Sequence, residues 1–225
     1  KKILPAVLLP FAMTAANAQD WANLKTYEYA NSQVQSPPRH KKRVVFMGDS
    51  ITDYWISYDS AFFFGKSYYD RGISGQTTGQ MLLRFRADVI RLEPTVVVIL
   101  AGINDIFENK GPSKLEDIFG NIVSMAELAR ANHIKVVLCS LLPAYPLPSR
   151  PGINPVPKVK ALNQMIKDYA GRHKLVYLDY FSAMSDSSAR MLPALAKDPV
   201  HPNLNGYKVM EPLVEQAIVA AMKQK

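Results

Sequence analysis

Gly48-Asp49-Ser50-Ile51-Thr52 places a serine directly after a short β-branched run, Arg43 to Met47. A serine at a strand-to-helix junction can expose its hydroxyl. Its backbone N–H then belongs to a helix N-terminus and can face a developing negative charge. Gly-Asp-Ser is also a common turn composition, so the tripeptide alone decides nothing. A hydroxyl is a poor nucleophile without a base. The chain has four histidines, His40, His133, His173 and His201. His40 lies in a basic segment, and His133 and His173 end helical patterns, where a cation suits the dipole. His201 falls in Asp198-Pro199-Val200-His201-Pro202-Asn203, a proline-bracketed turn before the last helical pattern. From its place in that turn Asp198 can reach back to the His201 Nδ1, which fixes the tautomer and leaves Nε2 to accept a proton. Such a set suits acyl transfer through a serine nucleophile.

Acyl transfer also needs donors for an oxyanion, and loss of one costs about 10²–10³ in turnover. Gly75, in Gly72-Ile73-Ser74-Gly75-Gln76-Thr77, can offer an unobstructed backbone N–H, and Asn104, in Gly102-Ile103-Asn104-Asp105, a side-chain amide. With the Ser50 N–H these make three donors. Each also has an ordinary reading, a turn glycine for Gly75 and a strand-ending cap for Asn104. Cys139 is the sole cysteine; its apolar neighbours Val136-Val137-Leu138 read as core rather than as a nucleophile's surroundings. No Gly-x-Ser-x-Gly occurs, so the strained nucleophile elbow is unsupported. No histidine and carboxylate cluster has metal-ligand spacing.

These groups must be positioned by a scaffold. Continuous apolar runs predict strands at Arg43 to Met47, Ser67 to Arg71, Thr95 to Ala101, Ile134 to Leu141 and Leu175 to Leu178. Runs that do not alternate suit strands buried on both faces of a parallel sheet. Helical spacing predicts Gln80 to Leu92, a helix opened by a Ser113/Glu116 capping box and running to about Ala131, Lys158 to His173, and Leu204 to Lys223. Alternating strands and helices argue an α/β domain. Leu142 to Pro157, with six prolines, reads as a fixed loop at the sheet's edge. Ligands of open α/β sheets bind beyond the strands' carboxyl ends, where the Ser50, Gly75 and Asn104 segments fall.

At 225 residues and 48% hydrophobic composition, the chain suits one domain with a sizeable core. The net charge of +8 is scattered, apart from Arg39-His40-Lys41-Lys42-Arg43, and reads as a solvated surface rather than a nucleic-acid site. Lys1 and Lys2, the apolar stretch Ile3 to Ala15, and Ala16-Asn17-Ala18 have the form of an export signal over residues 1–18. That stretch is too short to span a bilayer. Residues 19–42 read as a polar lead-in, and 43–225 as the functional domain. The expected location is periplasmic or extracellular, without stable membrane insertion.

The blocks Gly48 to Thr52, Ser74-Gly75, Gly102 to Asp105, and Asp198 with His201 resemble, in order, those of the SGNH hydrolases, or GDSL esterases. The resemblance runs from about residue 43 to 210. It implies a flavodoxin-like three-layer α/β/α sandwich with a five-stranded parallel sheet and a Ser50-His201-Asp198 triad. It also implies an oxyanion hole of Ser50, Gly75 and Asn104, and no cofactor or metal. Asp49 and Asp105 are expected to be structural partners of their loops. The expected substrates are small-molecule or glycan esters with short acyl or acetyl groups. A lysophospholipase and a non-catalytic glycan-binding protein are the alternatives. Tyr54-Trp55 and Phe62-Phe63-Phe64 could wall the substrate site, although the Phe run reads mainly as core.

Overall fold

The computed structural model describes residues 20–36 and 42–224. The export-signal expectation for residues 1–18 lies outside the described residues, as do His40 and most of the basic cluster around it.

Five strands form one all-parallel sheet in the order β2-β1-β3-β4-β5. They are β1 (Val44–Gly48), β2 (Tyr68–Gly72), β3 (Val96–Leu100), β4 (Lys135–Cys139) and β5 (Val176–Leu178). All residues of β1 and β3 are buried, as continuous apolar runs between two helical layers require. Edge strands β2 and β5 are only partly covered. Gly48 pairs in register with Gly72 on one side and Leu100 on the other. The chain therefore leaves β1, β2 and β3 at one level, which sets the three following loops side by side. Strand order reverses at β1, the place where such sheets bind ligands.

The helices are α1 (Glu28–Ser32), α2 (Ser50–Asp53), α3 (Trp55–Tyr58), α4 (Ser60–Phe63), α5 (Thr78–Asp88), α6 (Ile103–Ile106), α7 (Leu115–Ala131), α8 (Pro155–His173), α9 (Tyr180–Met184) and α10 (Leu204–Lys223). On one face α5 packs on α7 and α7 on α8, with α7 and α8 against β4; α10 covers β3, β4 and β5 from the other. The three-layer expectation holds.

Local chemistry corrects several boundaries. Glu116 does not form a capping box with Ser113: α7 starts at Leu115 after an N-cap Lys114 with no side-chain cap. Its first turn instead carries Glu116 and Asp117, whose charges suit the dipole. The capping box belongs to α5, where Thr77 and Gln80 exchange the two bonds. The predicted helix from Gln80 to Leu92 breaks at Val89, and a 3₁₀ turn Ile90–Leu92 ends in left-handed Glu93. The proline-rich loop ends earlier than expected, because Pro155 fits the first turn of α8, where no N–H bond is needed.

Trp55, Phe62 and Phe63 are buried with Phe46. Trp55 stacks on Phe62 at 5.0 Å, and Phe46 meets Phe63 edge-on at 5.5 Å. Each such side chain stabilises the fold by about 1.5–3 kcal/mol. Phe64 is the exception and is exposed.

The lead-in docks on the domain through side-chain bonds to distant residues. The Tyr27 hydroxyl donates to the Gly72 carbonyl, and Asn31 Nδ2 donates to Asp88 at 2.7 Å. Arg84, fully buried on α5, ties the region together. It donates to the Gly48 carbonyl at 3.0 Å, to Gln76 Oε1 at 2.5 Å and to Asp88 at 3.0 Å. Removing one partner of a buried pair like Arg84–Asp88 costs about 3–5 kcal/mol, because the other charge is left uncompensated.

Candidate active site

β1 delivers Ser50 to the first turn of α2. The close approach of α2 to the strand ends requires glycines there. A Cβ on Gly48 would lie 2.0 Å from Thr52 Oγ1, and one on Gly72 2.1 Å from the Asp53 nitrogen. Asp49 caps α2 by accepting from the Ile51 N–H at 3.0 Å. Burial pushes its carboxyl up to about 7, helped by nearby Asp105 and opposed by the Ile51 bond. Asp105 accepts from the Thr78 N–H at 2.9 Å and from its hydroxyl at 2.8 Å. Burial raises its carboxyl above the usual value, and those two bonds oppose the rise. Both aspartates are structural partners of their loops.

His201 stands on a turn that side chains and backbone hold at both ends. The Lys197 N–H donates to the His201 carbonyl at 2.8 Å, and the Tyr145 N–H to Pro199 at 3.2 Å. Asn203 caps α10 by accepting from Gly206 at 3.1 Å, and its amide donates to Ala194 and Ala196. The Tyr207 hydroxyl donates to the Ile51 carbonyl at 2.8 Å, which fastens α10 to the helix bearing Ser50.

These supports bring residues 151 apart in sequence into contact. Ser50 Oγ lies 2.8 Å from His201 Nε2. His201 Nδ1 lies 2.8 and 3.0 Å from the two Asp198 oxygens. Asp198 Oδ1 also accepts from the N–H groups of Val200 and His201, at 2.9 and 2.8 Å. Partial burial pushes the Asp198 carboxyl up, but those two N–H groups and the His201 ring outweigh it and hold it below its usual value. A carboxylate so held stays ionised at neutral pH and can orient the ring and stabilise its charged form.

Gly75 adopts φ +77 and Gly102 φ +119, conformations that favour glycine. Open space surrounds a Cβ at Gly75, so dihedral rather than room calls for glycine. The Gly75 and Ser50 N–H groups donate to no described residue. Asn104, nearly buried, donates from Nδ2 to the Gln76 carbonyl at 3.0 Å. Its Oδ1 accepts from Asn109 Nδ2 at 2.6 Å.

All five expected site residues thus lie at the carboxyl end of the sheet. Gln76, Arg84 and Asn109 complete the support and had no assigned role in the sequence. Arg84 left a readable trace, a charged pair at i and i+4 on the apolar face formed by Met81 and Phe85. Of the candidate aromatic wall, Tyr54 meets the His201 ring at 5.4 Å, whereas Trp55 is core.

Two depressions adjoin the site. One of about 240 Å³ is lined by Tyr54, Ser57, Tyr58 and Lys197. Another of about 490 Å³ includes Gly75, Gln76 and Asn109. A larger one, about 650 Å³, lies around His133, Lys135 and Lys174, at the amino ends of β4 and β5 and away from Ser50. Cys139 is buried, and burial raises its thiol far above the range where a thiolate forms. Among the described residues no group of three or more His, Cys, Asp or Glu is placed to hold a metal ion. None of their helices is long and apolar enough to cross a membrane.

The GDSL-like Lipase/Acylhydrolase family model matches residues 46–209, and the chain belongs to this family. It is similar to a Bacteroides fragilis protein described as an acylhydrolase, at 48% identity, covering 91% of this chain and 100% of that one, with a TM-score of 0.88. A GDSL-like lipase from Bacteroides thetaiotaomicron is 46% identical over 89% of this chain and 98% of its own, with a TM-score of 0.86. An acetylxylan esterase from Geobacillus stearothermophilus shares the fold at 20% identity, covering 82% of this chain and 95% of that one, with a TM-score of 0.64. No curated protein matches the chain. Family membership sets the class of chemistry as acyl-ester hydrolysis.

Proposed function

We propose that the chain is an exported serine esterase that cleaves short acyl or acetyl esters, with Ser50 as nucleophile, His201 as base and Asp198 as its orienting carboxylate. The observation that carries this reading is the continuous Asp198–His201–Ser50 contact, at 2.8 Å on each side of the imidazole. His201 Nε2 takes the Ser50 proton as Oγ attacks the ester carbonyl carbon. The resulting oxyanion is met by the N–H groups of Ser50 and Gly75 and by the second N–H of Asn104. The C–O bond to the alcohol breaks, and the alcohol leaves with the proton held on Nε2. Water, deprotonated by the same nitrogen, then attacks the acyl-enzyme, and the acid departs as Ser50 regains its proton.

Short acyl groups are favoured because the cleft beside Gly75 is lined almost wholly by polar residues and the more apolar depression beside Tyr54, about 240 Å³, is small. The fold shared with an acetylxylan esterase supports the same choice. The leader-like residues 1–18 would place the enzyme where extracellular glycans are met.

The test is a p-nitrophenyl ester series from acetate to decanoate, with wild type and Ser50→Ala. We expect rates that fall steeply beyond short chains and vanish above background in the variant. Equal rates in the two proteins would overturn the serine mechanism, and rates rising with chain length would overturn the short-chain assignment.

A further inference from the structure

The 490 Å³ cleft beside Gly75 is unlike an acyl-chain pocket. Of its ten lining residues only Trp21 carries an apolar side chain, and the rest include Asn23, Asn109, Lys110 and Arg150. Trp21 is half exposed, which is costly for an indole without a ligand to cover it.

Trp21 is also fixed relative to the reaction centre. Its carbonyl accepts from Gln80 Nε2 at 2.6 Å, and the carbonyl of the next residue, Ala22, from Gln76 Nε2 at 2.7 Å. The indole lies 3.7 Å from where a Cβ on Gly79 would stand, against the start of α5. Gln76 is the same residue whose carbonyl aims Asn104. Lys110 is exposed on a tight turn closed by the Gly111 N–H to the Glu108 carbonyl at 3.1 Å, and the Arg150 guanidinium is held by the Phe107 carbonyl. Asn109 both walls the cleft and holds Asn104. The cleft is therefore continuous with the donors proposed for the oxyanion.

An aromatic face ringed by amides, cations and the Asp20 carboxylate suits a ligand with C–H bonds on its face and hydroxyls on its rim. An aliphatic chain would leave those polar groups without partners. From this we infer that the cleft binds a pyranose unit of an acylated oligosaccharide, stacked on Trp21 and hydrogen-bonded by Asn23, Lys110 and Arg150. The inference rests on the serine-esterase reading and adds the substrate class. It also gives the lead-in a role, as the element that supplies the sugar platform.

The experiment compares kcat and KM of wild type, Trp21→Ala, Trp21→Phe and Lys110→Ala on acetylated xylo-oligosaccharides and on p-nitrophenyl acetate, which has no sugar to stack. Trp21→Ala is expected to lower kcat/KM on the oligosaccharide about tenfold, mainly through KM. Trp21→Phe should recover part of that loss, and Lys110→Ala, whose side chain is exposed, should lose a smaller factor. All should hydrolyse p-nitrophenyl acetate within about twofold of wild type. Equal losses on both substrates for Trp21→Ala, no loss on either, or a wild type inert to the oligosaccharide would each overturn the sugar subsite. In the last case continued hydrolysis of p-nitrophenyl acetate would leave the serine-esterase reading standing, whereas that reading falls if Ser50→Ala stays active.

Discussion

Asn109 donates its side-chain amide to Asn104 Oδ1 at 2.6 Å, and its own N–H donates to the Asn104 carbonyl at 3.0 Å. With Asn104 Nδ2 on the Gln76 carbonyl, these bonds settle which end of the Asn104 amide carries nitrogen. One N–H hydrogen is left for a substrate oxygen. Asn104→Ala is expected to lower kcat on p-nitrophenyl acetate by about 10²–10³ with little change in KM. Asn109→Ala leaves the donor present but loosely aimed, and we expect a loss of about tenfold. Steady-state kinetics checks both, and equal losses would show that Asn109 does more than position its neighbour.

Asp198→Asn keeps an oxygen for the Val200 and His201 N–H groups, so the turn should survive. The new amide would face Nδ1 with hydrogens and favour the tautomer with its proton on Nε2, which cannot take one from Ser50. Turnover should fall about 10³–10⁴-fold with an almost unchanged melting temperature. A variant with near wild-type kcat would contradict the role given to Asp198.

The glycine that ends β2 and the glycine of the turn after it should fail differently. A Cβ on Gly72 would sit 2.1 Å from backbone nitrogen, whereas one on Gly75 meets nothing within 4 Å but requires φ +77. Gly72→Ala is expected to yield little folded protein. Gly75→Ala should fold with a loss of about 1 kcal/mol from the left-handed dihedral, measured by urea denaturation, together with reduced turnover as its N–H shifts. Comparable stabilities for the two variants would contradict the distinction.

Asp49 links the site to pH. Burial raises its carboxyl from 3.8 to about 7, so the fold favours the neutral form. The stability this contributes is fully present below the unfolded value and is lost as pH rises through about 7. Asp49→Asn keeps the acceptor for Ile51 and cannot ionise. Urea unfolding at about pH 4.5 and about pH 8 should show wild type losing up to about 3 kcal/mol more than the variant. Parallel pH dependences would contradict the assignment.

The sheet was legible because buried parallel strands need unbroken apolar runs, as Val96 to Leu100 shows. The proposed triad was legible because Asp198 and His201 lie within one turn and because the other two described histidines sit near helix ends, where cations are at home. The docking of the lead-in was not legible. It depends on single polar bonds mostly to residues 40 to 59 positions away, such as Asn31 to Arg71, Tyr27 to Gly72 and Gln80 to Trp21, and these impose no periodicity. The same holds for Asn109, five residues past Asn104, whose role exists only once the turn after α6 is folded.

One serine among many, Ser50, is proposed as the nucleophile. The most direct measurement is intact-mass and peptide mapping after treatment with a fluorophosphonate, which phosphonylates only an activated serine hydroxyl. We expect one adduct per chain, on the peptide bearing Ser50, lost in Ser50→Ala and formed far more slowly in His201→Ala. An adduct on another residue, or activity that persists in the fully labelled protein, would contradict that proposal.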